Sequence, residues 1–370
     1  MLGLSLAAQP EHETISVKRI EGTSFFYAES FRSFYIINVF LCVLKPRGRK
    51  STTPSSTPDF FKPSGFDARR VEQGMPNIIR IGPAGWSYKD WNGIVYPAKP
   101  GSKFDPLEYL ARFFDTIEIN SSFYRPPTAS TTQAWVKRVA DNPKFVFTAK
   151  LPQIFTHERG TATKEDEKSS REGIDPLNEA GKLGALLLQF PWSFKNSDDE
   201  RLYLMTLLDK FKDYPLVVEV RHTSWNTPQM LETFEERGVG VCNIDQPLFK
   251  RSIRPAAVST SSIGYVRLHG RNYQNWFRDK APRDERYNYL YTVDELDPWI
   301  DRIKEIAGHT RETYVITNNH FRGKAVVNAI EIKAAIEEQP VPAPPPLFAE
   351  YERLTESATP AEPGGKNLFD

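Results

Sequence analysis

The sequence predicts an α/β protein, a single (β/α)8 TIM barrel with disordered N- and C-terminal tails. Eight short runs of aliphatic and β-branched residues lie between residues 76 and 338, and helical patterns follow nearly all of them. Such alternation is typical of βα units that build a parallel sheet. Eight units in about 260 residues also match the usual size of a closed barrel.

The eight predicted strands are short, and most of them end in polar residues. They cover residues 78–82, 116–120, 145–150, 183–190, 216–222, 239–245, 265–270 and 313–319. Because helices cover the outer side of a parallel barrel, the outward face of each strand is expected to be apolar.

Helices are predicted between these strands, and several carry end signals. Asp105 is placed to cap the first helix, Pro106 suits its first turn, and Gly238 is a suitable C-cap for the fifth. The sixth unit, after residue 245, shows little helical pattern, which leaves an open doubly wound sheet as the structural alternative. The predicted helices cover residues 105–114, 128–141, 162–181, 198–212, 227–237, 294–307 and 323–338.

The segments outside the predicted barrel differ from it in composition. Residues 1–75 lack sustained periodicity and end in a Ser/Thr/Pro-rich linker, which predicts a disordered or loosely ordered arm. Residues 339–370 are rich in proline and polar residues, which predicts a disordered tail. The predicted folded unit is therefore 76–338.

Composition limits the function classes. The 48 basic and 47 acidic residues give a net charge of +1, so any anion site must be local. The two cysteines, Cys42 and Cys242, show neither a disulfide framework nor metal-ligand spacing, which favours an intracellular, cytoplasmic location. The apolar stretch 34–44 is too short to span a bilayer, although it leaves an organellar or membrane-associated form open.

Charged side chains near the strand ends are the strongest functional signal in the sequence. Side chains alternate across a strand, so polar residues spaced by two share a face opposite aliphatic ones. Three acids and three bases would then meet inside the barrel and leave its interior neutral. Enzymes of this fold carry their chemistry at the C-terminal mouth, so we interpret the set as a ligand site. The alternative is a buried ion network that only stabilises the barrel. The residues predicted to point inward are Glu118, Lys150, Glu219, Arg221, Asn243, Asp245, Arg267, His269 and Asn318.

Four of these residues are predicted to be catalytic. Glu219 would act as general acid or base, with Glu118 or Asp245 as its carboxylate partner and His269 as a second proton carrier. Cations would hold an anionic substrate and stabilise developing charge, while aromatic side chains wall the pocket. The predicted substrate-binding residues are Lys150, Arg221, Arg267, Arg271, Asn318, Tyr124 and Trp225.

Aromatic residues gather near the predicted strand ends. Aromatics around a polar mouth can stack bases or sugars. The alternative is that they close the barrel top and pack loops, which we favour for Trp91 and Trp192. The histidines and tryptophans at or just after predicted strand ends are His157, His222, His269, His320, Trp86, Trp91, Trp192, Trp225 and Trp276.

Two basic loops favour an anionic ligand, phosphate-bearing or nucleotide-like. TIM barrels often bind phosphate with the loops after strands seven and eight and a helix N-terminus. Here those loops carry Arg271, Arg278, Arg322 and Lys324. A non-catalytic nucleic-acid-binding barrel that uses these four cations is an alternative hypothesis. A scaffold that acts through its tails is a third.

Seven motifs, in order, resemble the YecE-like family, also called domain of unknown function 72. They are GPAGWSYKDWNGIVYP, EINSSFYRPP, FVFTAKLPQIFTH, LGALLLQFP, VVEVRHTSW, YVRLHGR and the NN pair that ends the eighth strand. The resemblance covers about residues 78–335 and implies a TIM barrel. The family is distantly similar to xylose-isomerase-like barrels that include an apurinic endonuclease, which implies nucleic acid as a candidate ligand and a hydrolase-like or nuclease-like activity.

That endonuclease binds a zinc cluster through many histidines and carboxylates. In this sequence only His269, Glu118, Glu219 and Asp245 are well placed for such a role, and cations lie among them. Positive side chains beside carboxylates compete with a metal. We therefore predict no cofactor, while a single divalent ion stays open.

Overall fold

The computed structural model describes residues 16–20, 23–27, 77–274, 276 and 283–361. Eight parallel strands form one sheet in the order β1-β8-β7-β6-β5-β4-β3-β2, so strands consecutive in the chain are neighbours. All eight predicted strands are confirmed. They are β1 (Ile78–Pro83), β2 (Thr116–Ile119), β3 (Val146–Lys150), β4 (Leu183–Gln189), β5 (Leu216–Glu219), β6 (Gly240–Asp245), β7 (Ile263–Leu268) and β8 (Glu312–Thr317).

The sheet closes into a barrel between β1 and β2. Ala84 and Glu118 form a parallel bridge, and the N–H of Gly85 donates to the carbonyl oxygen of Glu118 at 2.9 Å. Gly82 permits this approach, because a Cβ at that position would lie 1.9 Å from the carbonyl oxygen of Thr116. The strand order and the closure exclude the open doubly wound sheet.

Helices cover the outer side of the barrel. Asp105 caps α1 by accepting hydrogen bonds from the N–H groups of Leu107 and Glu108. No helix forms between β6 and β7 in the described residues 246–262, in agreement with the weak helical pattern there. The helices are α1 (Pro106–Leu110), α2 (Ala129–Arg138), α3 (Gln153–Thr156), α4 (Lys164–Glu179), α5 (Asp198–Lys210), α6 (Pro228–Glu236), α7 (Arg283–Arg286), α8 (Val293–Ala307) and α9 (Lys324–Glu337).

The boundary predicted at residue 338 is too early. Residues 339–361 continue as β9 (Val341–Ala343), α10 (Leu347–Glu350), a 3-10 helix (Glu352–Glu356) and β10 (Ala358–Pro360). Strands β9 and β10 pair in parallel, and Leu347 and Leu354 are fully buried. A few well-spaced apolar side chains are enough to anchor this proline-rich segment. Residues 362–370 lie outside the described residues.

The predicted N-terminal arm contains a short hairpin. Strands Ser16–Ile20 and Thr23–Tyr27 pair antiparallel. The apolar stretch 34–44 and the Ser/Thr/Pro-rich linker lie outside the described residues. Among the described residues, no helix is both long enough and apolar enough to cross a membrane.

Candidate functional site

Three fully buried charged side chains, Glu118, Glu219 and Arg267, meet inside the barrel. They come from β2, β5 and β7. Arg267 Nη2 donates to Glu118 Oε1 at 2.8 Å, and Arg267 Nη1 donates to Glu219 Oε2 at 2.5 Å. One guanidinium therefore pairs with both carboxylates and links the three strands. We call these residues, with Arg221, His269 and Lys150, the inner cluster.

Tyr265 completes the coordination of Glu118, and Thr148 in turn contacts the Tyr265 hydroxyl. The Tyr265 hydroxyl lies 3.0 Å from Glu118 Oε2 and 2.8 Å from Thr148 Oγ1. Burial and the neighbouring carboxylate raise the pKa of Tyr265 well above its ordinary value, so the phenol keeps its proton. Sequence reasoning missed this tyrosine, although it shares the inward face of β7 with Arg267.

Arg221 joins the cluster from the end of β5. Its Nε and Nη2 donate to Glu219 Oε1 at 2.9 and 2.7 Å. Burial raises the pKa of Glu219, but Arg267 and Arg221 outweigh that effect and hold this pKa well below its usual range. Glu219 is therefore a permanent carboxylate with both oxygens engaged.

His269 is a neutral member of the cluster. Burial lowers its pKa to about 3, against the opposing effect of Glu219. Its Nδ1 lies 3.0 Å from Asn318 Nδ2, and its Nε2 lies 3.3 Å from Glu219 Oε1. A neutral ring satisfies both contacts if Nδ1 accepts from the Asn318 amide and Nε2–H faces the carboxylate. Asn318 thereby sets the orientation of the imidazole.

Lys150 lies at the edge of the cluster. Its Nζ is 3.5 Å from Glu118 Oε1, and its side chain is 9% exposed. Burial and the charge of Arg267 lower the pKa of Lys150 to about 8, although Glu118 raises it. Lys150 is therefore the member of the cluster whose charge changes just above neutral pH.

The prediction that Asp245 and Asn243 point into the barrel is wrong. Cys242 and Ile244 face the interior in their place. Asp245 points outward, where Trp299 Nε1 on α8 donates to its Oδ2 at 2.5 Å. The Tyr291 hydroxyl and Arg271 also donate to Asp245, and Arg271 contacts Glu295 as well. We call Asp245, Arg271, Tyr291, Glu295 and Trp299 the outer network.

Because Asp245 lies outside the barrel, the charge balance of the interior differs from the predicted one. Lys150, Arg221 and Arg267 now face Glu118 and Glu219 alone. The interior therefore holds one more cation than acid when Lys150 is protonated. The predicted neutral interior is wrong, and the excess of positive charge favours an anion at the mouth.

A cavity of about 200 Å³, here called the mouth cavity, lies above the inner cluster. Among its lining residues are Gln189, Trp192, Arg221, Trp276 and Arg286. The Arg221 guanidinium carbon lies 5.8 Å from the centre of the Trp276 ring. The indole N–H of Trp192 is buried and has no hydrogen-bond partner in the described part of the chain. The cavity thus presents two arginine side chains and a buried indole N–H donor.

Two residues predicted to wall the pocket lie elsewhere. Trp225 is 1% exposed, and its Nε1–H donates to the carbonyl oxygen of Phe194 at 2.8 Å, so it belongs to the core outside the barrel. Tyr124 is 50% exposed and lines a separate cavity beside β1 and β2. Trp91 donates to the carbonyl oxygen of His320 and packs the loops, in agreement with its predicted structural role.

The basic loop residues are paired with acids or amides. Arg271 contacts Asp245 and Glu295, as described above. Arg322 pairs with Glu350, and Lys324 donates to the side-chain oxygen of Asn288. Arg278 lies outside the described residues. These pairings reduce the positive charge that a nucleic-acid surface would need.

The residues of the inner cluster do not fit a zinc centre. Within 77–274 and 283–361, no three His, Cys, Asp or Glu side chains are grouped so that they could hold a metal ion. Arg267 lies between Glu118 and Glu219, in the place where a metal bridging the two carboxylates would have to bind. The zinc chemistry implied by the endonuclease resemblance therefore has no ligand set in this cluster.

The closed parallel strands and the charged interior define a TIM-like α/β barrel. The family described as "Protein of unknown function DUF72" matches residues 80–349, and the chain belongs to this family. The YecE-like assignment is thereby confirmed.

Curated relatives and solved structures agree with this assignment. The chain is 28% identical over 265 residues to the UPF0759 protein YunF of Bacillus subtilis (strain 168), covering 68% of this chain and 92% of YunF. It is 25% identical to the UPF0759 protein YecE of Escherichia coli (strain K12), covering 55% of this chain and 67% of YecE. The crystal structure of a DUF72 protein from Thermotoga maritima MSB8 has a TM-score of 0.62 and 33% identity, covering 70% of this chain and 99% of that one. A DUF72 structure from Enterococcus faecalis V583 has the same TM-score at 26% identity, covering 70% and 96%.

Proposed function

We propose that the mouth cavity binds a small anionic group, such as a phosphate, and that Arg221 is the cation that contacts it. The observation that carries this proposal is the excess of positive charge in the inner cluster, with Arg221 lining the cavity above it. The volume of about 200 Å³ suits one anionic group, because whole small-molecule sites are usually about 300–1,000 Å³.

Arg221 is oriented for this role. Glu219 binds its Nε and Nη2, while Nη1 donates no hydrogen bond to the described part of the chain. Glu219 fixes the guanidinium from the barrel interior, and 13% of the Arg221 side chain is exposed. A fixed guanidinium with available N–H groups is the preferred donor set for phosphate and carboxylate.

Glu219 and His269 serve this arrangement as positioning residues. Asn318 orients His269, His269 faces Glu219, and Glu219 fixes Arg221. Arg267 engages the second carboxylate oxygen of Glu219, so all the polar side-chain atoms of Glu219 and His269 have partners, and both residues are fully buried. Their contacts support holding the anion site more directly than they support proton transfer.

The finer proposal is an enzyme that acts on this anionic ligand by acid/base chemistry. Within the inner cluster, Lys150 is the group best suited to move a proton, since its pKa of about 8 lies near neutral pH. Glu118, at 3.5 Å from Lys150 Nζ, would be its carboxylate partner. Loss of turnover in a Lys150→Met variant that still binds the ligand would support this assignment.

Calorimetric titration with inorganic phosphate and sulfate tests anion binding. The Arg221→Gln variant is expected to bind about tenfold to a hundredfold more weakly, because a charge-assisted hydrogen bond is lost. Glu219 keeps its hydrogen bond from Arg267 in this variant, so the barrel should stay folded. Arg237→Gln is the matched control, since Arg237 pairs with Asp209 outside the barrel. Equal affinity of Arg221→Gln and wild type for both anions would contradict the proposal.

A further inference from the structure

A second cavity, of about 530 Å³, lies beside the C-terminal ends of β1 and β2. We call it the ring cavity, because Trp86, Tyr88, Tyr124 and Trp135 line it together with His320. Asp, Glu, Lys and Arg are absent from its lining residues. Its volume falls within the range of about 300–1,000 Å³ that is usual for small-molecule sites. The cavity is therefore large enough for a ligand, uncharged and rich in aromatic surface.

The walls of the ring cavity are held by contacts with the rest of the protein. Trp86 meets Trp135 edge to face at 5.3 Å between ring centres, and Trp135 is 8% exposed. Tyr88 stacks on His320 at 4.4 Å and donates from its hydroxyl to the carbonyl oxygen of Ala84 at 2.7 Å. Side chains fixed in this way lose little conformational freedom when a ligand binds.

One polar atom in the wall of the ring cavity lacks a partner. Asn120 Oδ1 is buried and accepts no hydrogen bond in the described part of the chain, while Asn120 Nδ2 lies 3.5 Å from the Tyr88 hydroxyl. A buried amide oxygen without a donor is unfavourable, and native proteins rarely leave one unsatisfied. The missing partner is a hydrogen-bond donor, which a ligand can supply once the Asn120 side chain turns its amide toward the cavity.

We propose that the ring cavity binds a planar heteroaromatic ring with an N–H donor, such as the adenine base of a nucleoside. The base would stack on the exposed aromatic surface, mainly Tyr124, as bases do on aromatic side chains. The Asn120 amide would accept from the amino group and donate to the adjacent ring nitrogen, a pairing that asparagine makes with adenine. The site goes beyond the proposed function, because none of its lining residues lines the mouth cavity.

Binding of adenosine, which carries no phosphate, tests the ring cavity independently of the anion site. Titration of the full chain is followed by tryptophan fluorescence and by calorimetry, since Trp86 and Trp135 lie in the wall. We expect the wild type to bind adenosine and Asn120→Leu to bind at least tenfold more weakly. Tyr124→Ala is expected to weaken binding fivefold or more, and this exposed position keeps the test valid if Asn120→Leu does not fold.

Tyr273→Ala is the matched control, because Tyr273 is 52% exposed and lies outside the ring cavity. Its affinity for adenosine should equal that of the wild type. The proposal is overturned if the wild type does not bind adenosine at millimolar concentration, or if it binds methyl glucoside and not adenosine. Equal losses in Tyr124→Ala and Tyr273→Ala would also overturn it. Phosphate binding to the wild type, measured in parallel, reports on the mouth cavity alone.

Discussion

The inner cluster and the outer network both pair arginine with carboxylates but differ in charge balance. In the inner cluster Lys150, Arg221 and Arg267 face two carboxylates, and a cavity lies above them. In the outer network one cation, Arg271, faces two carboxylates, and Trp299 on α8 supplies a neutral donor. From this comparison we expect a buried ion pair to serve as a binding site where a cation is in excess beside a cavity. Where neutral donors complete the coordination of the carboxylates, such an ion pair instead stabilises the packing of a helix on a strand.

The largest effect is expected from Arg267→Met. This change leaves Glu118 and Glu219 buried without their main partner, which typically costs about 3–5 kcal/mol. The free energy of unfolding, measured in urea, should fall by about that amount. In the control Arg237→Met the loss should stay below about 1 kcal/mol, because that ion pair is largely solvated. Similar urea midpoints for the two variants would show that Arg267 does not support the barrel.

A smaller loss is expected from Asp245→Ala in the outer network. The Trp299 N–H and the Tyr291 hydroxyl lose their acceptor, which should lower the free energy of unfolding by about 2–3 kcal/mol. Phosphate affinity should stay unchanged, because Asp245 lies outside the barrel interior. Urea unfolding and calorimetric titration measure the two quantities on the same sample. A drop in phosphate affinity without a loss of stability would contradict the assignment of anion binding to the inner cluster and of helix packing to the outer network.

The smallest effect concerns the charge of Lys150. Burial lowers its pKa to about 8, so the lysine is charged below pH 8 and loses its charge as the pH rises through that value. Sulfate does not titrate in this range, so its affinity should fall roughly threefold to tenfold between pH 7 and pH 9. Lys150→Met should bind sulfate with a flat pH profile, whereas the control Lys304→Met, on α8, should keep the wild-type slope. A wild-type profile without a slope would show that Lys150 does not act on the anion site.

The fold was predictable because the apolar runs of the strands and the helical patterns between them are visible within short stretches of the sequence. Each strand is an aliphatic run of ordinary length, and the weak helical pattern after β6 corresponds to a real gap in the helix layer. The packed segment 339–361 was not predictable, since its proline-rich composition is that of a tail. Three apolar residues, Val341, Leu347 and Leu354, are placed so that they become buried, and composition does not reveal such placement.

The sequence by itself determined which residues share a face. Alternation along β2, β5 and β7 predicted that Glu118, Glu219 and Arg267 lie together inside the barrel, because the aliphatic residues between them leave one face polar. Only the tertiary structure decided which face of β6 turns inward. Asp245 points outward because Trp299, 54 residues further along the chain, brings a donor to that side. Such partners come from helices distant in the sequence, and periodicity within one strand carries no information about them.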